Sequence, residues 1–321
     1  MSRGMDRRTV LRVAGIGGLG LLGLTACTHP DQPQPTREDG VPFDLSPEQN
    51  SRIRSEVDSA AQALLPEKIA AGGVLTVGVL NTSPPLAFSA TDDVTPIGSE
   101  VDTAYLIADK LGLELDTQVT SWENWPLKLG ANEYHAAFAN VGVTEPRLKL
   151  YDFATYRAAY MGFLARKGQG PVVSSPDDIS GRKLSVTPGT NQEKIVMAWN
   201  DQLVAQGKEP AALDLYLDNT NAVLALAAGR IDYYLSPFPT GAYYAATRDD
   251  LEVRGKISAG WPKSTLVAAT TLKDSGLARP FQAALQSAIS SGEYRQALKR
   301  WGLEEEFLPE SLIVTEKTGM P

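Results

Sequence analysis

Arg147 has the setting best suited to binding chemistry. It follows an apolar run, Ala136 to Val143, with the length and composition of a buried strand. Thr144-Glu145-Pro146 ends the run. Thr144 can cap a helix, and Pro146 falls in a first turn, where a missing N–H costs nothing. The guanidinium then stands at the mouth of a strand-to-helix turn, the rim where open α/β sheets bind small ligands. Its planar fork matches a carboxylate in two parallel hydrogen bonds. Spacing alone equally allows a surface pair with Glu145 or Asp152.

A second group can hold an anion through backbone amides. After the short strand Leu184-Ser185-Val186, Thr190 and Glu193 have the spacing of a capping box, with Gly189 before them. Glycine lets N–H groups approach a ligand closely, and a helix start carries about half a positive charge. A third group is Ser121-Trp122-Glu123-Asn124-Trp125. Trp122 and Trp125 can each wall a pocket or fill the core, and Glu123 can meet a ligand cation.

Catalytic and metal chemistry lacks its parts. Of two histidines, His29 lies in a Pro-rich stretch and His135 within an apolar strand, and Cys27 is the only cysteine. There is no G-x-S-x-G, Walker loop, H-E-x-x-H or metal-ligand spacing, so neither cofactor nor metal is expected. A carboxyl at Glu100 or Glu123 remains available as a general acid.

Rigid elements must hold these groups. Of 321 residues, the first ~50 read as address and tether, leaving enough for two modest α/β lobes. Val74–Leu80 is a buried strand leading to the proline-stiffened loop Asn81–Phe88. Ser99–Leu111 is an amphipathic helix stopped by Gly112, with Glu100 and Asp102 in its first turn favouring the dipole. Strand Leu213–Leu217, helix Asn219–Ala228 and strand Ile231–Leu235 follow, and Ser236-Pro237-Phe238-Pro239 ends the last. Gly162–Gly170 and Gly260–Ala269 read as crossings between lobes, with hinges near Arg157–Met161 and Trp261–Thr265. Glu304-Glu305-Glu306 reads as a solvated run. A net charge of −8 and pI near 5.0 exclude nucleic acid, whose binding needs a basic footprint.

The N-terminus is an address. Asp6-Arg7-Arg8-Thr9-Val10-Leu11 is a twin-arginine pattern, and Leu24-Thr25-Ala26-Cys27 resembles a bacterial lipobox with Cys27 as the lipidated residue. Residues 28–50, with five prolines, read as a flexible tether, and 51–72 as a packing helix ended by Gly72-Gly73.

The strand ending in small residues, the T-x-x-R turn at Thr144–Arg147 and the hydrophobic-Asp-Phe step at Tyr151–Phe153 resemble family 3 extracytoplasmic solute-binding proteins, the polar-amino-acid receptors of ABC importers. Ile97–Asp102 is similar to the family's helix start, with Ser99 in place of an aromatic, and Gly292-Glu293-Tyr294…Lys299-Arg300-Trp301-Gly302 to its closing G-x-Y…K-W-G. The similarity runs from Gly73 to Leu303. It implies an α/β, two-lobed periplasmic-binding-protein-like type II fold (a Venus flytrap) with two crossover segments. Lobe 1 would span 73–160 and 263–321, and lobe 2 161–262.

The resemblance implies that Arg147 holds the ligand's α-carboxylate, with the Gly189–Thr190 turn covering it from the other lobe. Phe88 corresponds to an aromatic that stacks on the ligand. Gly142 stands where a hydroxyl residue is usual, and Asn140 and Thr144 compensate. Pro237, after Ser236, stands where an Asp usually accepts the α-ammonium. Either Glu100, Glu123 or Asn140 meets that ammonium, or the ligand lacks an ordinary one. The implied protein is a monomeric, lipid-anchored receptor on the outer face of the bacterial cell membrane. It would capture a small carboxylate-bearing solute, an amino acid or derivative, for an ABC permease and its ATPase. A cyclohexadienyl-dehydratase-like enzyme or a ligand sensor for a membrane partner are the alternatives on the same scaffold.

Overall fold

The computed structural model describes residues 35–37 and 40–320. Its strands are β1 (Val74–Val79), β2 (Thr82–Ser83), β3 (Ala87–Ser89), β4 (Pro96–Ile97), β5 (Glu114–Val119), β6 (Ala136–Phe138), β7 (Tyr151–Ala158), β8 (Tyr160–Arg166), β9 (Lys183–Val186), β10 (Ala212–Leu215), β11 (Tyr233–Pro237), β12 (Leu251–Ser258), β13 (Leu266–Leu272) and β14 (Ile313–Val314). Its α-helices are α1 (Ser59–Gln62), α2 (Glu67–Gly72), α3 (Ser99–Leu111), α4 (Trp125–Gly130), α5 (Glu145–Leu148), α6 (Asn191–Ala205), α7 (Asn219–Ala227), α8 (Phe238–Thr247), α9 (Ala278–Ser290) and α10 (Glu293–Arg300).

Two sheets organise two lobes. The first has the order β14-β7-β13-β6-β1-β5, the second β10-β9-β11-β8-β12, and β2-β3-β4 form a small third sheet. In the first, β1 runs parallel to β5 and β6, and β13 antiparallel to β6 and β7. In the second, β9 is parallel to β10 and β11, and β8 antiparallel to β11 and β12. Strands β6 and β11 are buried throughout, as near-continuous apolar runs covered on both faces must be. Edge strands β5 and β10 are largely exposed.

The chain passes between sheets twice, at Ala159 between β7 and β8 and over 259–265 between β12 and β13. Gly162–Gly170, expected to be the first crossing, is instead mostly β8. Its apolar residues are buried because β8 lies between β11 and β12.

Four expectations change once the chain packs. Residues 51–72 do not form one helix: α1 starts at Asp58, whose carboxylate caps Ala60 and Ala61, and Pro66 separates it from α2. Residues 40–50 are not a free tether. Phe43 is buried with its ring 5.3 Å from Tyr243 and 6.1 Å from Trp301, so its apolar burial offsets the ordering of the segment. Helix α3 is packed on nearly all sides, so Glu100 and Asp102 are buried ion-pair partners rather than dipole-facing surface groups. The third residue of the acidic run, Glu306, is likewise buried and pairs with Arg157. Cys27 and the twin-arginine segment lie outside the described residues.

Candidate functional site

A cavity of about 220 Å³ lies between the lobes. The first lobe contributes Asn81, Trp122, Asn140 and Arg147 among others, and the second Thr190, Gln192 and Asp218. Ala159, at the first crossing, and Ala259, at the second, also line it.

Arg147 sits in the short helix α5, which Pro146 starts near its N-terminus. Its Nη1 donates to the Gly142 carbonyl at 2.7 Å, and its guanidinium lies 5.3 Å from the Trp122 ring. Among the described residues it has no carboxylate partner. Glu145 is exposed, and Asp152 instead accepts from the Asp274 N–H at 2.8 Å. Withdrawal from water pushes the Arg147 pKa down to about 10, partly opposed by Tyr151, so the group remains a cation at neutral pH. A half-buried, unpaired cation costs free energy that an entering anion relieves.

Helix α6 faces the cavity with its first turn, Thr190, Asn191 and Gln192. Thr190 Oγ1 accepts the Glu193 N–H at 3.3 Å, as a capping residue should. The Glu193 carboxylate, however, accepts from the Gly189 N–H at 2.7 Å, so that amide is not left for a ligand. Gly189, at φ +72°, does not line the cavity. It marks a close approach of the lobes: a Cβ there would lie 3.8 Å from Trp122 Nε1.

Asn140 adopts φ +54° and is held from behind. Its Oδ1 accepts from Arg157 Nη2 at 2.6 Å, and its N–H donates to Glu100 Oε2 at 3.2 Å. The Nδ2 end has no protein acceptor among the described residues. Gly142 marks a close approach of the lobes, because a Cβ there would come within 3.2 Å of Asn191 Nδ2. Trp122 lines the cavity, and Glu123 stands at its exposed rim.

Besides Gly189, five expected site residues lie elsewhere. Glu100 is 1% exposed, held by Arg157 at 2.8 Å and by the Tyr156 hydroxyl. Phe88 packs on Trp301 and Tyr243 with ring centroids 5.7 and 6.0 Å away. Trp125 is buried against Tyr151, 5.3 Å between rings. Ser236 is fully buried, its hydroxyl donating to the Pro237 carbonyl at 3.1 Å. Thr144 caps nothing with its side chain, and its hydroxyl is buried without a partner among the described residues and does not line the cavity. His135 accepts the Thr76 N–H at 3.1 Å through Nδ1 and is no part of the cavity.

Other lining residues were missed by sequence reasoning. The sequence marks Asn219 only as a helix start and gives Asp218 and Ser121 no role of their own, yet all three reach the cavity. The Ser121 hydroxyl is buried with no partner among the described residues. The dense Ser121–Trp125 loop is the local signal for Ser121, and Asp218 and Asn219 have only the spacing of a helix start.

Residues 75–304 match the bacterial extracellular solute-binding proteins, family 3. An L-cystine-binding protein of Escherichia coli K12 is 33% identical over 180 residues, covering 56% of this chain and 64% of its own length, just under two thirds. The arginine-binding protein of Corynebacterium glutamicum is 27% identical over 313 residues, 96% of each chain. A Streptococcus pneumoniae amino-acid ABC transporter substrate-binding protein, solved with L-arginine, superposes with TM-score 0.64 at 25% identity, covering 74% of this chain and 96% of that one. The chain belongs to the family 3 bacterial extracellular solute-binding proteins.

Proposed function

We propose that this protein captures an amino acid or amino-acid derivative outside the cytoplasm and delivers it to an ABC permease and its ATPase. The observation that carries the reading is Arg147, a half-buried guanidinium at the inter-lobe cavity with no carboxylate partner among the described residues. It accepts the ligand carboxylate, while the start of α6 faces the same space from the second lobe. The lobes rotate about the two crossings, releasing ligand when open. The cystine- and arginine-binding relatives support an amino-acid ligand, and Cys27 supports a lipid anchor on the outer face of the membrane, with the body a monomer.

Titration calorimetry of the purified protein with the twenty amino acids, L-cystine and simple carboxylates tests the reading. Binding of at least one carboxylate-bearing amino acid, lost when its carboxylate is converted to an amide, is the expected result. Equal affinity for acid and amide would remove Arg147 from the ligand.

A further inference from the structure

Among the described residues, the charged side chains lining the cavity are one cation, Arg147, and two carboxylates, Asp218 and Glu123. Arg147 belongs to the first lobe and Asp218 to the second, at the start of α7. They form no ion pair with each other, so the space between opposite charges is left for a ligand. A simple anion there would relieve Arg147 but face the Asp218 carboxylate. A molecule carrying both signs satisfies both.

We propose that Asp218 selects the ligand, accepting its cationic group on the second lobe while Arg147 holds its carboxylate on the first. This rests on the reading of Arg147 as the carboxylate site. Asp218 caps α7, its Oδ1 accepting the Asn221 N–H at 3.0 Å, and its other oxygen has no hydrogen bond within the described protein. The neighbouring Asn219 fixes this corner against the first lobe. Its Nδ2 donates to the Thr82 carbonyl at 3.0 Å and to the Ser83 hydroxyl at 2.6 Å, and its Oδ1 accepts from Tyr234. The same bonds that close the lobes therefore bring the Asp218 carboxylate to the cavity, so selection and closure act together.

The other candidates for this task fail on placement. Glu123 lies at the exposed rim of the same lobe as Arg147 and cannot bridge the cleft. Pro237, the second-lobe strand end that reaches the cavity, has neither an N–H nor an acceptor side chain. The ligand class is thus an amino acid whose ammonium, α or side-chain, or guanidinium reaches the second lobe.

The test is calorimetry on the intact protein and its Asp218→Asn, Glu123→Gln and Arg147→Met variants, each checked for folding by circular dichroism. The probes are L-arginine, L-lysine, L-cystine, Nα-acetyl-L-arginine, L-citrulline and succinate. We expect the wild type to bind at least one of the first three. Asp218→Asn should weaken it at least tenfold, and Glu123→Gln by less than threefold. A loss with Nα-acetyl-L-arginine that Asp218→Asn does not deepen places the α-ammonium on Asp218. The same pattern with L-citrulline places the side-chain cation there. Undiminished affinity in Asp218→Asn, or a wild type that takes succinate and none of the amino acids, overturns the proposal and leaves the Arg147 reading standing. Undiminished affinity in Arg147→Met overturns both.

Discussion

Arg157 Nη2 lies 2.6 Å from Asn140 Oδ1, joining the strand that enters the first crossing to a residue that lines the cavity. Arg157 is itself 1% exposed and lies between Glu100 and Glu306. The segment after α10, the strand entering the first crossing and the cavity wall thus share one buried charge network. Removing Arg157 would leave two buried carboxylates uncompensated, whereas Arg157 and Glu100 remain a pair without Glu306.

One member of the network, Glu306, titrates far from its ordinary range. Burial raises the Glu306 pKa from 4.5 to about 7, with Arg157 opposing the rise. A folded-state pKa above the unfolded one means the folded protein holds more protons, so this group's contribution to stability declines as pH rises from 4.5 to about 7. Glu306→Gln should flatten this decline, gaining up to about 3 kcal/mol relative to wild type across the interval. Denaturant unfolding at several pH values measures the difference, and a pH-independent difference would refute it.

Arg147→Ala should cost about 2–5 kcal/mol of ligand binding, roughly thirty-fold to several thousand-fold in Kd, by removing a desolvated charge pair. The fold should persist, since the guanidinium's hydrogen bond within the protein is to a single carbonyl. Calorimetry with the ligand found above reads the effect.

Gly142→Ala places a methyl group 3.2 Å from Asn191 Nδ2, between the lobes. Repacking there should cost about 1–3 kcal/mol, expressed as weaker ligand binding and faster release more than as lower stability. Stopped-flow release rates equal to wild type would count against this contact.

Phe43→Ala should destabilise the protein by about 3 kcal/mol, since it empties a buried site among Tyr243, Trp301 and their neighbours. Chemical denaturation checks it. A change below the error of the measurement would return residues 40–50 to the role of a tether.

Cys27→Ser should release the protein from membranes in fractionated cells of its host. Continued retention in the membrane fraction would point to a spanning anchor instead of a lipid.

Local chemistry made much of the fold legible. The strands at Val74, Ala136 and Tyr233 announce themselves because strands covered on both faces must be continuously apolar. Gly112 marks the end of α3 because it takes φ +66°, which other residues resist. Thr190 and Glu193 mark the start of α6 through their spacing alone, although Glu193 reaches Gly189.

What the sequence determined by itself was therefore the family, the two α/β lobes and the turn that carries Arg147, because each depends on residues close together along the chain. Tertiary structure alone decided which charges are paired inside the protein and which face the cavity without an opposite partner among the described residues. Glu100, 57 positions from Arg157, is neutralised by it, whereas Arg147 has Glu145 two residues away and does not pair with it. Pairing of that kind depends on which side chains packing withdraws from water together, and spacing along the chain carries no record of it.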